Sequence, residues 1–241
     1  MLPGHSPVLI GIAHGSRHAR VAEGVEAVLA ATALLGQVET RAAYLDLTDP
    51  DLEAVAADLA AAGVRRAVVV PLLFTDAFHA RIDVPDAVTR AAATSGIELV
   101  LAPILGTGDD VIEVVAERLA ATGTAGTAPI LLYAVGSSRP DANAAVADLA
   151  GRLAGRRGTP VLAGFGTTEP RAADVLAELR TLSPESGTVV PLFVAPGLLL
   201  DAITPAVAKA GWRLVDPLGT LLAPVVSNRY AAALGDQGRL R

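Results

Sequence analysis

The chain has 241 residues, a formal net charge of −6 at pH 7 and no cysteine. The absence of cysteine excludes disulfides, thiolate metal sites, iron–sulfur clusters and a cysteine nucleophile. An acidic chain without a basic stripe is not expected to bind nucleic acid, because phosphate contacts need clustered lysine and arginine. Hydrophobic residues make up 52% of the chain, so a folded protein with a sizeable core is expected rather than disorder.

The most apolar stretch, residues 189–200, contains two prolines and one glycine, and it is too short to span a membrane. The first residues lack the basic head and the small-residue cleavage site of a signal peptide. We therefore expect a cytoplasmic protein that has no membrane partner.

Short apolar runs typical of buried strands alternate with longer segments of helical periodicity. The predicted strands cover residues 8–13, 38–45, 67–73, 98–102, 130–134, 160–164, 188–193 and 213–215. Helical spacing is clearest in residues 21–35, 52–62, 87–94 and 111–121. A helix start is predicted at residues 48–50, with Asp49 as the cap and Pro50 in the first helical position. This alternation predicts an α/β fold of parallel sheets with helices on both faces.

The sequence repeats itself at an offset of 120 or 121 residues. Residues 13–16 (Ala-His-Gly-Ser) match 134–137 (Ala-Val-Gly-Ser), residues 48–50 match 168–170, and residues 70–72 match 190–192. Three landmarks in one register indicate a duplicated unit. We predict two homologous α/β halves, residues 1–122 and 129–241, which are joined by a glycine-rich linker at 123–128.

Three polar residues of the first half are lost in the second, although the glycines and prolines around them remain. The pairs are His14 and Val135, Asp46 and Gly166, and His79 and Leu199. This asymmetry predicts that the N-terminal half carries the active site, whereas the C-terminal half keeps a degenerate copy.

The three polar residues each follow a predicted strand: His14 the first, Asp46 the second and His79 the third. Because ligands bind beyond the carboxyl ends of parallel strands, we expect these side chains to meet at one edge of a sheet. Two imidazoles and a carboxylate suit Fe²⁺, Co²⁺, Ni²⁺ or Zn²⁺, and the lack of an evident fourth ligand predicts an open site. Asp46 also fits a simple turn residue, and Ser16 fits a helix cap.

Several familiar enzyme classes lack their motifs. The chain has no G-x-S-x-G nucleophile elbow, no Walker A motif and no G-x-G-x-x-G loop after a strand, and Lys209 is its one lysine. A serine hydrolase, a nucleotide-binding enzyme and a Schiff-base enzyme are therefore not supported.

Four motifs carry a resemblance to a known family. They are A-H-G-S-R at 13–17, Y-L-D at 44–46, V-P-L-L at 70–73 and F-H-A-R-I-D-V-P at 78–85, with weaker matches A-P-G-L-L at 195–199 and P-L-G at 217–219. Together they resemble the sirohydrochlorin chelatase family, in its fused two-repeat form. The resemblance covers nearly the whole chain, and it implies the class II chelatase fold.

By this resemblance the protein is an ATP-independent, lyase-type chelatase that inserts Fe²⁺, or alternatively Co²⁺, into sirohydrochlorin during sirohaem or cobalamin biosynthesis. His14 and His79 would be the catalytic, metal-binding pair. Asp46 would be a further metal ligand, in a position where many members have glutamate. The metal ion is a substrate, no organic cofactor is implied, and a single active site is expected. The fused halves would mimic a dimer within a monomer.

The flat tetrapyrrole is expected to lie in a cleft between the halves. Its apolar walls would be Phe78, Leu198, Leu199 and Leu200. Donors to its carboxylates would come from Ser16, Arg17, Arg81, Ser137, Ser138 and Arg139.

Three alternatives stay open at this point. A protoporphyrin-type ferrochelatase would have a largely apolar cleft with fewer carboxylate donors. A metal or tetrapyrrole carrier would bind the same ligands stoichiometrically without turnover. A purely structural role would leave ligand binding intact after both histidines are replaced.

Overall fold

A computed structural model of the chain describes residues 6–123, 128–183 and 186–237. Within these residues eight strands form two four-stranded parallel sheets. The strands are β1 (Val8–Ala13), β2 (Thr40–Tyr44), β3 (Arg66–Pro71), β4 (Glu98–Leu101), β5 (Ile130–Ala134), β6 (Val161–Phe165), β7 (Thr188–Pro191) and β8 (Arg213–Leu214). The predicted α/β fold is thereby confirmed, and the bounds of β1 and β5 are those predicted.

The helices that connect these strands alternate with them along the chain. They are α1 (Arg20–Gly36), α2 (Leu52–Ala61), α3 (Val84–Ser95), α4 (Asp109–Ala121), α5 (Pro140–Arg157), α6 (Ala172–Leu182), α7 (Leu198–Ala210) and α8 (Ala223–Gln237). A single π-helical turn, His79–Asp83, precedes α3, and a 3₁₀ turn, Gly219–Leu222, precedes α8. In the part of the chain described, no helix has the length and apolar character needed to cross a membrane.

The two sheets have the same topology and register. Their strand orders are β2-β1-β3-β4 and β6-β5-β7-β8. In the first sheet Ile12 lies opposite Ala43 and Pro71. In the second sheet Tyr133, at the matching position of β5, lies between strands that keep this register. The sequence repeat therefore corresponds to a structural repeat.

Buried residues on β1 explain why helices cover both faces of the first sheet. Successive strand residues point to opposite faces. Ile10 and Ile12 are fully buried and pack with residues of α2 and α3. Between them, Gly11 faces α1, where an added Cβ would lie 2.5 Å from Cδ2 of Leu29. The central strand is thus apolar on both sides, as expected for a parallel sheet between helical layers.

The chain divides into two compact units that differ from the predicted halves by one helix each. The first unit comprises Met1–Gly106 and Leu222–Arg241, and the second comprises Thr107–Leu221. Helix α8 packs on α1 and β3 of the first unit. There Tyr230 donates a hydrogen bond to the carbonyl of Pro7 at 2.6 Å, and Nε of Arg229 donates to the carbonyl of Ile104 at 2.9 Å.

Helix α4 follows the last strand of the first sheet but packs beside α5 in the second unit. The predicted boundary near residue 122 therefore concerns the sequence repeat, not the packing of the units. Of the predicted linker at 123–128, residues 124–127 lie outside the described residues.

The start of α2 differs from the prediction. The helix begins at Leu52 rather than at Pro50, and its cap is Asp51, whose side chain accepts a hydrogen bond from the Ala54 amide at 2.8 Å. Pro50 follows a cis peptide bond, and its carbonyl accepts from the amide of Tyr44 at 3.0 Å. Pro50 therefore extends the pairing at the end of β2 and is not available to open the helix.

Candidate functional site

The predicted site residues of the first half lie at the carboxyl edge of the first sheet. His14 directly follows β1, Asp46 lies two residues after β2, and His79 opens the π turn after β3. Since β1 pairs with both neighbouring strands, the three loops emerge side by side. All three side chains line one cavity of about 350 Å³.

The two histidine rings contact each other. Their centroids are 4.2 Å apart and their planes cross at 82°. Because metal–nitrogen bonds are about 2 Å long, two rings at this separation are candidates to share one ion. The side chain of His79 is 45% exposed, and the pair is therefore accessible from solvent. The structure therefore places His14 and His79 side by side at this edge of the sheet, as the sequence predicts.

His79 has a carboxylate partner. Its Nδ1 lies 2.6 Å from Oδ2 of Asp83, and because a carboxylate only accepts, Nδ1 carries the hydrogen. The amide of Val84 donates to the His79 carbonyl, which closes the π turn. Such turns are frequent at functional sites. In the neutral imidazole, the bond from Nδ1 to Asp83 leaves Nε2 of His79 as the nitrogen that can bind a metal ion.

His14 is held by its backbone rather than by its ring. Its carbonyl accepts from the amide of Asp46 at 3.0 Å. Among the residues that the structure describes, neither nitrogen of the His14 ring has a hydrogen-bond partner. The two histidines thus differ: one ring is fixed by a carboxylate and the other is not.

The loops after β1 and β2 interlock around Gly15. This glycine has φ of +89°, and an added Cβ would lie 1.8 Å from the carbonyl oxygen of Asp46. Beside it, the Ser16 amide donates to Oγ1 of Thr48 and the Thr48 hydroxyl donates to the Ser16 carbonyl, both at 3.0 Å. These contacts fix the backbone that carries His14.

Asp46 lies on the wall of the same cavity, but its Oδ1 accepts from the amide of Leu47 at 2.8 Å. Within residues 6–123, 128–183 and 186–237, no three His, Asp or Glu side chains are grouped closely enough to hold a metal ion. The structure therefore brings together the two histidines and keeps Asp46 apart from them. A metal contact by Asp46 stays a prediction.

The cavity wall is strongly acidic. Besides the histidines, its charged residues are Asp46, Asp51, Glu53, Asp83, Asp86 and Arg90. Nε of Arg90 lies 2.7 Å from Oε1 of Glu53, and this hydrogen bond raises the pKa of Arg90. The wall thus carries five carboxylates and one guanidinium. Its net negative charge attracts cations and repels the carboxylates of a tetrapyrrole.

The tetrapyrrole-binding residues predicted in the first half have different surroundings. Oγ of Ser16 accepts from the amide of His18 at 3.1 Å. Arg81 is bonded to Asp76, with Nε 2.9 Å from Oδ2. Arg17 is exposed and makes no side-chain bond to any described residue. Phe78 is 59% exposed.

Some of the tetrapyrrole-binding residues predicted in the second half already have hydrogen-bond or ion-pair partners. Oγ of Ser137 accepts from the amide of Arg139 at 3.1 Å, and the guanidinium of Arg139 pairs with Asp141 at 2.6 Å. Ser138 and Leu198 are exposed. Leu200 was expected to form a further wall of the substrate cleft. It is only 9% exposed, so it lies in the core and does not line an open surface.

The matching edge of the second sheet is filled. The hydroxyl of Tyr133 donates to the Leu199 carbonyl at 2.9 Å. A Cβ on Gly166 would lie 2.8 Å from this hydroxyl and 3.1 Å from a methyl carbon of Leu199. The space that a carboxylate would need at Gly166 is therefore occupied. Burial raises the pKa of Tyr133.

The family model described as CbiX matches residues 8–122 and 129–240. The chain belongs to the CbiX family. The family resemblance predicted from the motifs is thereby confirmed.

Named relatives extend this comparison. The sirohydrochlorin ferrochelatase of Bacillus subtilis (strain 168) is 26% identical over 208 residues, which cover 83% of this chain and 79% of that protein. SirB from Bacillus subtilis with Fe³⁺ has a TM-score of 0.80 at 23% identity and covers 97% of each chain. SirB from subspecies spizizenii in complex with cobalt has a TM-score of 0.80 at 22% identity and covers 96% of each chain. These CbiX-like structures support the class II chelatase fold.

Sequence reasoning about this CbiX-family chain missed Asp83 and the other carboxylates of the cavity. A signal for Asp83 was present, because it stands four residues after His79 in the quoted motif. Asp51 and Glu53 lie at the start of α2, and Asp86 lies in the first turn of α3. First-turn acidic residues are common because they complement the helix dipole, so their pattern alone did not indicate a cavity.

Proposed function

We propose that this CbiX-family protein is a sirohydrochlorin chelatase that inserts a divalent metal ion into the tetrapyrrole without ATP. The observation that carries the proposal is the contact between His14 and His79, 4.2 Å apart at their ring centroids, on the wall of an acidic cavity. The name of the Bacillus relative, sirohydrochlorin ferrochelatase, supports the same reaction.

The reaction exchanges one M²⁺ for two pyrrole N–H protons of the macrocycle. Histidine suits both halves of this exchange, because a neutral imidazole offers a lone pair to a metal or accepts a proton near neutral pH. His14 and His79 are the proposed catalytic residues. The acidic wall attracts the cation toward them.

Release of the metal to the tetrapyrrole explains why few protein ligands are an advantage. A closed site with four protein ligands holds its ion as part of the fold. Two imidazoles, with at most Asp46 as a third ligand, leave coordination positions open for the pyrrole nitrogens. The proposed site is therefore suited to delivering an ion rather than to keeping it.

The tetrapyrrole is proposed to contact Phe78 and Arg17 first. Phe78 is 59% exposed and its ring centroid lies 6.2 Å from that of His79. Arg17 can donate to a substrate carboxylate without giving up a partner, whereas Arg81 and Arg139 must share theirs. Contacts by Ser16, Ser137, Ser138, Leu198 and Leu199 remain predictions.

We propose Fe²⁺ as the metal, with Co²⁺ as the alternative. The relative named a ferrochelatase favours iron, while SirB has been seen with Fe³⁺ and with cobalt. No organic cofactor is proposed. We also propose that the protein is cytoplasmic. We propose that it is a monomer, since the repeat supplies two homologous units in one chain. A mass of 24.4 kDa by sedimentation would support the monomer, and a dimer would contradict it.

The experiment that tests the function is anaerobic mixing of the purified full chain with sirohydrochlorin and Fe²⁺ or Co²⁺. The visible spectrum of the macrocycle reports insertion. Catalytic turnover above the spontaneous rate, over many equivalents, is expected, and the faster metal identifies the preferred ion. A spectral change that stops at one equivalent would instead indicate a carrier. Turnover with protoporphyrin but not with sirohydrochlorin would favour the other chelatase class.

A further inference from the structure

The two histidines of the proposed site have unequal surroundings. Nδ1 of His79 donates to Oδ2 of Asp83 at 2.6 Å, whereas no described residue bonds to the His14 ring. Metal-ligating histidines almost always donate their other ring N–H to a carboxylate, a carbonyl or a water. Such a partner fixes the tautomer and the ring orientation, and it makes the free nitrogen a better ligand. In the described part of the chain His79 has this partner and His14 lacks it.

The local backbone keeps His79 and Asp83 together. The hydrogen bond from the Val84 amide to the His79 carbonyl spans the π turn. Val84 is completely buried in the core between the sheet and helices α2 and α3, so the far end of the turn is anchored. The side chain of Asp83 is 36% exposed, so it is not part of the buried core that anchors the turn.

We propose that Asp83 is a positioning residue that directs Nε2 of His79 to the incoming metal ion, which makes His79 the primary metal ligand of the pair. His14 is then the secondary contact, because no described residue holds its ring by a hydrogen bond. This assignment rests on the proposed function in one respect: the bound ion is taken to be the one that is inserted into the tetrapyrrole. Metal binding by the protein alone can still test it separately.

The first test is a titration of the full chain with Co²⁺ alone, in which the visible absorption of the bound ion is measured. We expect Asp83→Ala to weaken Co²⁺ binding by about 10–100-fold, the usual effect of removing such a partner. Asp83→Asn should weaken it less, because the amide oxygen of asparagine can still accept from Nδ1. Replacing His79 with alanine should weaken it more than replacing His14. Asp83→Glu should restore part of the affinity, because it restores the carboxylate.

Asp86→Asn is the matched control. Asp86 lines the same cavity and lies in the first turn of α3, but it makes no hydrogen bond to His79 among the described contacts. Its loss removes the same unit of negative charge, which is expected to change Co²⁺ affinity by no more than about threefold. Equal losses in Asp83→Ala and Asp86→Asn would show that only the charge of the cavity matters, and they would overturn the proposal.

A second readout reports on positioning directly. In the metal-free protein at a pH where the imidazole is neutral, ring nitrogen NMR should find the hydrogen of His79 on Nδ1. Asp83→Ala should shift the population toward the Nε2–H form, and Asp86→Asn should not. An unchanged His79 tautomer in Asp83→Ala would overturn the proposal, even if metal affinity fell.

The outcome separates this inference from the proposed function. If Asp83→Ala weakens Co²⁺ binding but the native protein never metallates sirohydrochlorin, the chelatase assignment fails and the role of Asp83 stands. If sirohydrochlorin is metallated and Asp83→Ala binds Co²⁺ like the native chain, the role of Asp83 fails alone. A greater loss in His14→Ala than in His79→Ala would reverse the assignment of the primary ligand.

Discussion

The carboxyl edges of the two sheets share a backbone and differ in chemistry. Gly15 and Gly136 have φ of +89° and +91°, and Pro50 and Pro170 both follow cis peptide bonds. The first edge presents His14 and His79 to an open cavity, whereas Tyr133 and Leu199 fill the second. The residues that shape the loops have therefore been kept where the polar side chains have been lost.

This comparison separates the residues that the fold needs from those that the proposed reaction needs. An edge without histidines still forms the same strand order and loop connections, so the histidines are not required for folding. The glycines and prolines are shared because both sheets must make the same turns. Variants that change one edge at a time, with the other as a control, test this separation.

The largest effect is expected from replacing both histidines of the first edge. His14→Ala combined with His79→Ala should lower metallation of sirohydrochlorin by at least about 100-fold, because it removes the proposed ligands and proton acceptors. The thermal midpoint should change little, since the rings are partly exposed. The matched variant carries Val135→Ala and Leu199→Ala. It should keep its turnover number and change only substrate affinity or stability, because Leu199 is a predicted substrate contact. A fall in turnover as large as that of the histidine variant would contradict the assignment of one active edge.

A large loss of stability is expected from Gly15→Ala. The new methyl group would meet the backbone oxygen of Asp46 at 1.8 Å at a positive φ, so the interlocked loops must move. We expect a loss of about 3 kcal/mol in the free energy of unfolding, measured by urea denaturation with the activity assay alongside.

The control for Gly15→Ala is Gly136→Ala at the second edge. Its nearest atom is Oγ1 of Thr168 at 2.6 Å, a side-chain group that can turn away. The loss should be smaller, about 1–2 kcal/mol. An equal loss at both edges would mean that the positive φ, rather than the contact with Asp46, determines the cost.

A moderate effect on substrate affinity is expected from Arg17→Ala. Loss of an unengaged guanidinium should raise KM for sirohydrochlorin about tenfold with little change in kcat, because one charge-assisted hydrogen bond to a substrate carboxylate is removed. Arg139→Ala is the comparison, and its effect should be smaller because Asp141 already binds this side chain. A larger rise in KM for Arg139→Ala would transfer the main carboxylate contact to the second repeat.

The smallest effect is expected from Tyr133→Phe, which removes the hydrogen bond that closes the second edge. The free energy of unfolding should fall by about 1 kcal/mol at neutral pH, without loss of activity. Burial raises the pKa of Tyr133 above its ordinary value of 10.0. The folded protein therefore favours the protonated form, and its stability falls once the pH rises above about 10, where the unfolded chain ionises. Phenylalanine should reduce this alkaline loss; an unchanged profile would contradict it.

The sequence was sufficient to predict the fold and the meeting of the two histidines. Continuous apolar runs mark β1 and β5 because these central strands are buried on both faces. The position of His14 and His79 follows from topology, since parallel strands bring their carboxyl ends to one edge. Neither conclusion needed knowledge of side-chain packing.

Other features depend on contacts that no local pattern encodes. The start of α2 was predicted two residues early because Pro50 pairs with the end of β2 instead of opening the helix. The bond between His79 and Asp83 depends on a π turn, which the spacing alone does not distinguish from an α-helical one. The pattern of α4 and α8 predicts helices, but it does not say which sheet each helix covers.

The position of α8 in the first unit has a consequence for how the chain is made. The hydroxyl of Tyr230 and the carbonyl of Pro7 are bonded across 223 residues of sequence, so this contact cannot form until residue 230 has been translated. A nascent chain that ends before Ala223 already contains every residue proposed to act on the metal. It still lacks the helix that covers α1 and β3, and the first unit therefore matures last although its sheet is synthesised first.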